Sequence, residues 1–176
     1  MNALQNITVL ALDIDGVLTN GTITFTQYTG TENKSFHVHD GLGISLWLKS
    51  GLEVILISGR NAQCVNVRAK ELGITHVIQD SKDKIKDLDS ILAQLGSTPE
   101  QTVFVGYDLG DLPVMQHVGY AIAVNNAADE VKQISDWVTP RDGGQGAVRD
   151  AIEYIMKSNG SWQIAIETIN ISTPQQ

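Results

Sequence analysis

Four short stretches of this chain carry side chains that could do chemistry, and each stands at the end of an apolar run. The first is Asp13-Ile14-Asp15-Gly16, directly after Ile7–Leu12. Carboxylates two residues apart repel each other unless a cation lies between them or one holds a proton, and a turn alone would be served by one Asp and a Gly. The second, Ser58-Gly59-Arg60, closes the run that begins at Glu53. A hydroxyl and free backbone N–H groups at the entry to a helix are natural phosphate ligands. The third, Gln79-Asp80-Ser81-Lys82-Asp83-Lys84, ends the short run from His76. Lysine in the first turn of a helix opposes the macrodipole, which points to a use for Lys84 or Lys82. The fourth, Gly106-Tyr107-Asp108-Leu109-Gly110-Asp111, adds two carboxylates three residues apart. Singly, these stretches also read as a solvated turn, a helix cap or a solvated charge run.

The elements between them decide the matter. Ile7–Leu12 reads as a strand buried on both faces of a parallel sheet. Further strands are expected at Glu53–Ser58, His76–Gln79, Thr102–Gly106, Tyr120–Val124 and Asp136–Thr139. Helices are expected at about Gly43–Lys49, Asn61–Leu72, Ser81–Leu95 and Gly146–Lys157, with Gly73 and Gly96 as stop signals. This alternation predicts an α/β fold, a Rossmann-like doubly wound parallel sheet with right-handed crossovers. In such sheets ligands bind outside the carboxyl ends of the strands, so all four stretches fall on one edge. Residues 22–38 differ: Thr22–Thr26 and Lys34–Val38 alternate in character around turn material at Tyr28–Asn33, which predicts an inserted β-hairpin. No structure is assigned to the polar tail, about residues 158–176.

The 176 residues are enough for one well-filled core and short for two, so a single domain over 1–176 is expected. The net charge of −8 argues against nucleic acid or an anionic membrane as a partner. A phosphorylated metabolite stays open, because a metal and a few local cations can reverse the field inside a cleft. No apolar stretch reaches the roughly 18 residues of a membrane span. The N-terminus lacks a basic leader region and runs into the first strand, and the single cysteine, Cys64, excludes an internal disulfide. A cytoplasmic protein is expected.

Asp13-Ile-Asp-Gly-Val-Leu-Thr19 resembles the first motif of the haloacid-dehalogenase-type phosphatases, D-x-D-x-[TV]. Ser58 is similar to the second motif of that superfamily, Lys84 to the third and Gly106–Asp111 to the acidic fourth. The resemblance spans nearly the whole chain. It is closer still to a capless branch, the 3-deoxy-D-manno-octulosonate 8-phosphate phosphatases, through D-I-D-G-V-L-T-N-G, H-D-G-L-G-I, I-S-G-R, L-G-I-T-H-V-I-Q-D-S-K-D-K, L-P-V-M and G-G-Q-G-A-V-R-D. The resemblance implies that Asp13 is a nucleophile forming an aspartyl-phosphate and that Asp15 is the general acid and base. Ser58 and Lys84 complete the catalytic set. Mg²⁺ is implied as cofactor, held by Asp13, by Asp15 through its carbonyl and by the fourth-motif carboxylates Asp108 and Asp111. Thr19, Asp40, Gly59, Arg60 and Gln79 are implied as substrate contacts, with Arg60 reaching a sugar carboxylate across a subunit interface. Gly143, Gly144 and Gly146 resemble a loop that covers substrate. The implied molecule is a cytoplasmic homotetramer hydrolysing the phosphate ester of an eight- or nine-carbon keto-sugar acid, a step towards lipopolysaccharide. The chain departs from the branch at His39, Asn61 and Gln145, each usually a cation, and at Tyr107, usually the Asp that binds metal.

Independently of the resemblance, nothing between Asp15 and Ser58 or between Lys84 and Gly106 is large enough to close over a site. Excluding water strengthens charge interactions there, so a lid is expected from a neighbouring subunit through the hairpin. Other signals are weaker. His37 and His39 would share one face of a strand, without a third His nearby. Cys64 lies four residues before Arg68, on a helix, and reads as a core residue. No Walker or Rossmann glycine signature is present. Besides the phosphatase, two readings stay open: a catalytically weakened relative kept as a tetrameric scaffold, and a phosphatase for a sialic-acid-like 9-phosphate.

Overall fold

Val9–Leu12 (β1) carries no polar side chain and is buried on both faces, a pattern that belongs in the middle of a sheet. In the computed structural model, which describes residues 3–171, it lies third of six parallel strands. The others are Glu53–Ile57 (β4), His76–Ile78 (β5), Thr102–Gly106 (β6), Tyr120–Ala123 (β7) and Trp137–Val138 (β8), in the order β5-β4-β1-β6-β7-β8. The chain winds outward from β1 to β4 and β5, then returns to β6 on its other side, so the switch point falls at the end of β1. Leu12 pairs with Leu56 on one side and Val105 on the other. That register brings Asp13, Ser58 and Tyr107 out on the same edge.

Helices cover both faces. Val38–Lys49 (α1), Gln63–Leu72 (α2), Ala147–Ser158 (α6) and Trp162–Ile171 (α7) form one layer; Lys84–Leu95 (α3), Leu112–His117 (α4) and Asp129–Ile134 (α5) form the other. The fully buried Trp47 anchors α1, its indole N–H donating to the Glu53 carbonyl at 2.9 Å. α1 begins at Val38, five residues before the start expected from sequence. Gly41, outside the expected helix, and Gly43, its expected start, both lie inside α1 and thin it for packing. A methyl on Gly43 would stand 3.1 Å from the Arg149 side chain and 3.2 Å from Ile152 of α6.

The early start shortens the hairpin. Its paired residues are Thr24–Phe25 (β2) and Glu32–Asn33 (β3), antiparallel, and residues 34–37 are a connector rather than a strand. His37 and His39 therefore share no strand face. His37 caps α1, its Nδ1 accepting the His39 N–H at 3.3 Å. At α3, Asp83 takes the cap by accepting the Lys86 N–H at 3.1 Å, which starts the helix at Lys84 rather than Ser81. The short α4 and α5 had no legible period, and α7 occupies most of the unassigned tail; residues 172–176 lie outside the described residues.

Candidate active site

The turn after β1 sets the geometry. Residues 14–18 make a kinked, non-helical turn in which Asp15 is extended and Gly16 adopts φ +94°, a left-handed value that glycine tolerates. Thr19, almost wholly buried, pins the turn. Its hydroxyl oxygen accepts from the N–H groups of Gly16 and Gly21, both at 3.2 Å, and donates to the Ile14 carbonyl at 3.3 Å. The turn after β6 is fixed equally firmly. The buried Asp111 accepts the Tyr107 N–H at 2.8 Å and the Asp108 N–H at 3.3 Å on Oδ2. Its Oδ1 faces Lys84.

Lys84 joins the two turns. Its ammonium lies 2.7 Å from Asp13 Oδ1 and 2.6 Å from Asp111 Oδ1. Burial pulls the ammonium's pKa down, but the two carboxylates outweigh it and hold it above the ordinary value. One cation between two carboxylates leaves excess negative charge. Burial, and then repulsion from Asp111, push the Asp13 carboxyl up to about 7 despite Lys84. Asp15 faces the opposite rim, its Oδ2 accepting the Ser58 hydroxyl at 3.3 Å.

These groups line a cleft of about 330 Å³ formed by Asp13, Asp15, Gly21, Ser58, Gly59, Arg60, Lys84, Tyr107, Asp108, Gly110 and Asp111. The structure thus gathers Asp13, Asp15, Ser58, Lys84, Gly59, Arg60, Asp108 and Asp111, as their resemblance to known motifs implied. It does not gather Thr19, Asp40 or Gln79. Thr19 is consumed by its own turn. Asp40 is buried and accepts the Arg149 N–H at 2.9 Å, tying α1 to the first turn of α6; burial raises its pKa. Gln79 caps α2, its Oε1 accepting the Ala62 N–H at 2.7 Å while its amide donates to Asn66 at 3.0 Å. The residue 143–146 loop, expected to cover substrate, is docked against the β1 turn from outside the cleft lining, with the Gly144 N–H on the Val17 carbonyl at 2.9 Å. A methyl on Gly143 would collide with the Gly16 carbonyl oxygen.

Sequence reasoning missed two residues of the hairpin. Lys34 reaches from the connector to Asp15 Oδ1 and lies 2.5 Å from Glu32. Glu32 pairs with Arg60 at 2.8 Å. Hydrogen bonds from Arg60 and then Lys34 hold the Glu32 carboxyl below its ordinary range. The available signal was an acid and a base two apart in an otherwise uncharged alternating segment. Arg60 is thus engaged within its own chain.

A doubly wound parallel sheet with an Asp-x-Asp turn, a strand-end Ser, a helix-entry Lys and an acidic turn on one edge defines a phosphate-handling hydrolase fold. The chain belongs to the haloacid dehalogenase-like hydrolase family, whose model matches residues 57–152. It is 41% identical over 160 residues to the 3-deoxy-D-manno-octulosonate 8-phosphate phosphatase of Escherichia coli (strain B / BL21-DE3), covering 91% of this chain and 85% of that one. The crystal structure of the corresponding enzyme from Moraxella catarrhalis, in complex with magnesium, phosphate and KDO, superposes with a TM-score of 0.90 at 37% identity, covering 95% of both chains. The cobalt-bound form of the deoxy-D-mannose-octulosonate 8-phosphate phosphatase from Haemophilus influenzae gives a TM-score of 0.86 at 34% identity, over 90% of this chain and 92% of that one.

The donors at the cleft suit the magnesium that this family implies. Asp13 and Asp111 are hard oxygen donors, and the Asp13 carboxyl, pushed up first by burial and then by Asp111, is one whose ionised form a divalent cation would favour. Among the described residues no three His, Cys, Asp or Glu side chains converge as a ready-made cage. Mg²⁺ does not need one, since it keeps several waters and takes one or two carboxylates plus substrate phosphate. Position 107 contributes no carboxylate: the Tyr107 ring lies against Gly16, where any side chain at Gly16 would strike it, and its hydroxyl faces Gly21. Asp108 is exposed, and its Oδ1 accepts the Leu109 N–H at 2.8 Å.

Proposed function

We propose that the chain is a Mg²⁺-dependent phosphatase hydrolysing the phosphate monoester of an eight-carbon keto-sugar acid, 3-deoxy-D-manno-octulosonate 8-phosphate, through an aspartyl-phosphate on Asp13. The observation that carries the reading is Lys84 held between Asp13 and Asp111, with Asp15 facing them beside Ser58 on the same cleft. A buried carboxylate beside a fixed ammonium is an oriented nucleophile.

In the first half-reaction an Asp13 oxygen attacks phosphorus, the ester P–O bond breaks, and the leaving oxygen takes a proton from Asp15. In the second, Asp15 takes a proton from water as the water oxygen attacks phosphorus. The bond to Asp13 breaks and inorganic phosphate leaves. Ser58, the Gly59 backbone and Lys84 bind the phosphoryl oxygens throughout. Bound through Asp13, the Asp15 carbonyl and Asp111, with Asp108 nearby, Mg²⁺ supplies positive charge against the phosphate and the two carboxylates. Arg60 at the rim of the cleft suits the sugar's carboxylate.

The assembly in this reading is a homotetramer built through the hairpin. Residues 19–37, between the β1 turn and α1, hold only that hairpin, which leaves Ile23, Phe25 and Tyr28 exposed, Tyr28 at 92%. A cytoplasmic setting and a place in lipopolysaccharide synthesis accompany the substrate; no described helix is long and apolar enough to cross a membrane. The test is a screen of phosphorylated sugar acids, eight- and nine-carbon, read as inorganic phosphate released with and without Mg²⁺. Fastest turnover of the eight-carbon ester supports the reading, preference for a nine-carbon ester shifts the substrate, and no release from any ester favours a scaffold.

A further inference from the structure

We propose that Lys34 is a positioning residue for Asp15: it reaches over from the hairpin and fixes the carboxylate in the orientation that serves the leaving group, while Glu32 fixes Lys34. The proposal rests on the reading of Asp15 as general acid and base given above.

The Lys34 side chain is 1% exposed, against 16% for Lys84. A buried ammonium is costly unless paired and hydrogen-bonded, so a chain that needed only a hairpin anchor would do better with an apolar residue. Lys34 instead meets two carboxylates, Asp15 Oδ1 and Glu32 Oε1. Burial pulls the Lys34 pKa down, and the two carboxylates outweigh it. The other Asp15 oxygen accepts from Ser58. Both oxygens of one carboxylate are therefore addressed by different elements, which fixes the carboxylate plane. Neither contact involves Lys84 or Asp111, so the nucleophile and the acid are positioned separately. Glu32 is steadied in turn by Arg60 at 2.8 Å, and its carbonyl receives the Cys64 Sγ–H of α2 at 3.7 Å. The ion-pair chain Asp15–Lys34–Glu32–Arg60 runs from the acid to the rim of the cleft within one subunit.

In the step concerned Asp15 enters protonated on Oδ2, the oxygen not paired with Lys34; the ester P–O bond breaks, the departing oxygen receives that proton, the phosphoryl group passes to Asp13, and Asp15 is left as a carboxylate beside the Lys34 ammonium. An alkoxide leaving group needs that proton; a nitrophenolate does not. The experiment compares kcat/KM, which reports steps through leaving-group departure, for 3-deoxy-D-manno-octulosonate 8-phosphate and for 4-nitrophenyl phosphate. General acid catalysis contributes about 10²–10⁴-fold. Lys34→Met should lower kcat/KM on the sugar ester by about 30-fold or more, within that range, and on the nitrophenyl ester by less than about threefold. Lys34→Arg, which keeps the charge, should recover most of the loss. Equal losses on both esters, or none on either, overturn the proposal, and so does a loss on the sugar ester that is absent on glycerol phosphate, an alkoxide ester without the carboxylate that Arg60 suits. A wild-type protein inactive on the sugar ester overturns the functional reading and the proposal with it. If Lys34→Met does not fold by circular dichroism, Glu32→Gln decides the matter: a smaller loss on both the sugar ester and glycerol phosphate, but not on the nitrophenyl ester, supports positioning, and a loss that is unselective or confined to the sugar ester overturns it.

Discussion

In the proposed reaction Asp13 is the nucleophile, and its surroundings give it a measurable signature. Burial and Asp111 raise its pKa from 3.8 to about 7. The folded state holds this proton more tightly than the unfolded chain, so the associated stability is complete below about pH 4 and is lost as pH rises through about 7. In EDTA, the melting temperature of the wild type should therefore fall across that window relative to Asp13→Asn, whose amide does not titrate. Mg²⁺ should restore the loss near neutrality. Parallel melting curves for the two proteins would contradict the charge excess. Tyr107 is the second residue with a distinct consequence. Its phenol offers no carboxylate to a cation, and its ring leans on Gly16. Tyr107→Asp should tighten Mg²⁺ binding about tenfold, or 1.4 kcal/mol, by titration calorimetry; equal affinities would remove position 107 from the metal's surroundings. The cleft residues whose side chains project from strand ends were legible in the sequence. Lys34 and Glu32 were not, because they reach the site from a segment with no alignment to the sheet edge. Thr19, Asp40 and Gln79 resembled substrate contacts; in the structure the backbone N–H groups of Gly16, Arg149 and Ala62 hold one oxygen of each away from the cleft lining.

At the scale of elements, the parallel sheet followed from apolar runs too continuous for any exposed strand. The misread boundaries have more than one source. The start of α3 is set by the Asp83 cap, the start of α1 lies N-terminal to two glycines that serve close helix packing, and α4 and α5, six residues each, span under two turns. The glycines of residues 143–146 serve close packing as well. They allow the loop before α6 to lie directly on the β1 turn, with Gly143 against the Gly16 carbonyl. Gly143→Ala should therefore act as overpacking, destabilising the protein by about 1–3 kcal/mol in urea unfolding, and should displace the turn that carries Asp13 and Asp15. Wild-type stability in this variant would show that the two turns are not in contact.

For the whole molecule, the cleft is open in one subunit and the hairpin holds its exposed apolar residues outward. In the homotetramer proposed above, replacing Tyr28 with lysine should give smaller particles by light scattering, since four added charges would be brought together at the hairpin interface. Unchanged particle size would place any interface elsewhere. Phe25 stands directly opposite Glu32 across the hairpin, whereas Tyr28 lies in its turn, so the Tyr28 variant separates assembly from the positioning of Asp15. The central claim is that the gathered residues act through phosphorus on Asp13. Its most direct test is acid quench of the protein during turnover of 3-deoxy-D-manno-octulosonate 8-phosphate, followed by peptide mass spectrometry. A phosphoryl group on the peptide containing Asp13, absent from Asp13→Asn along with at least about a thousandfold of the turnover (some 4 kcal/mol of barrier), is the result expected. Phosphate release by Asp13→Asn at a tenth of the wild-type rate or more, with no phosphorylated Asp13 peptide in the wild type, would contradict it.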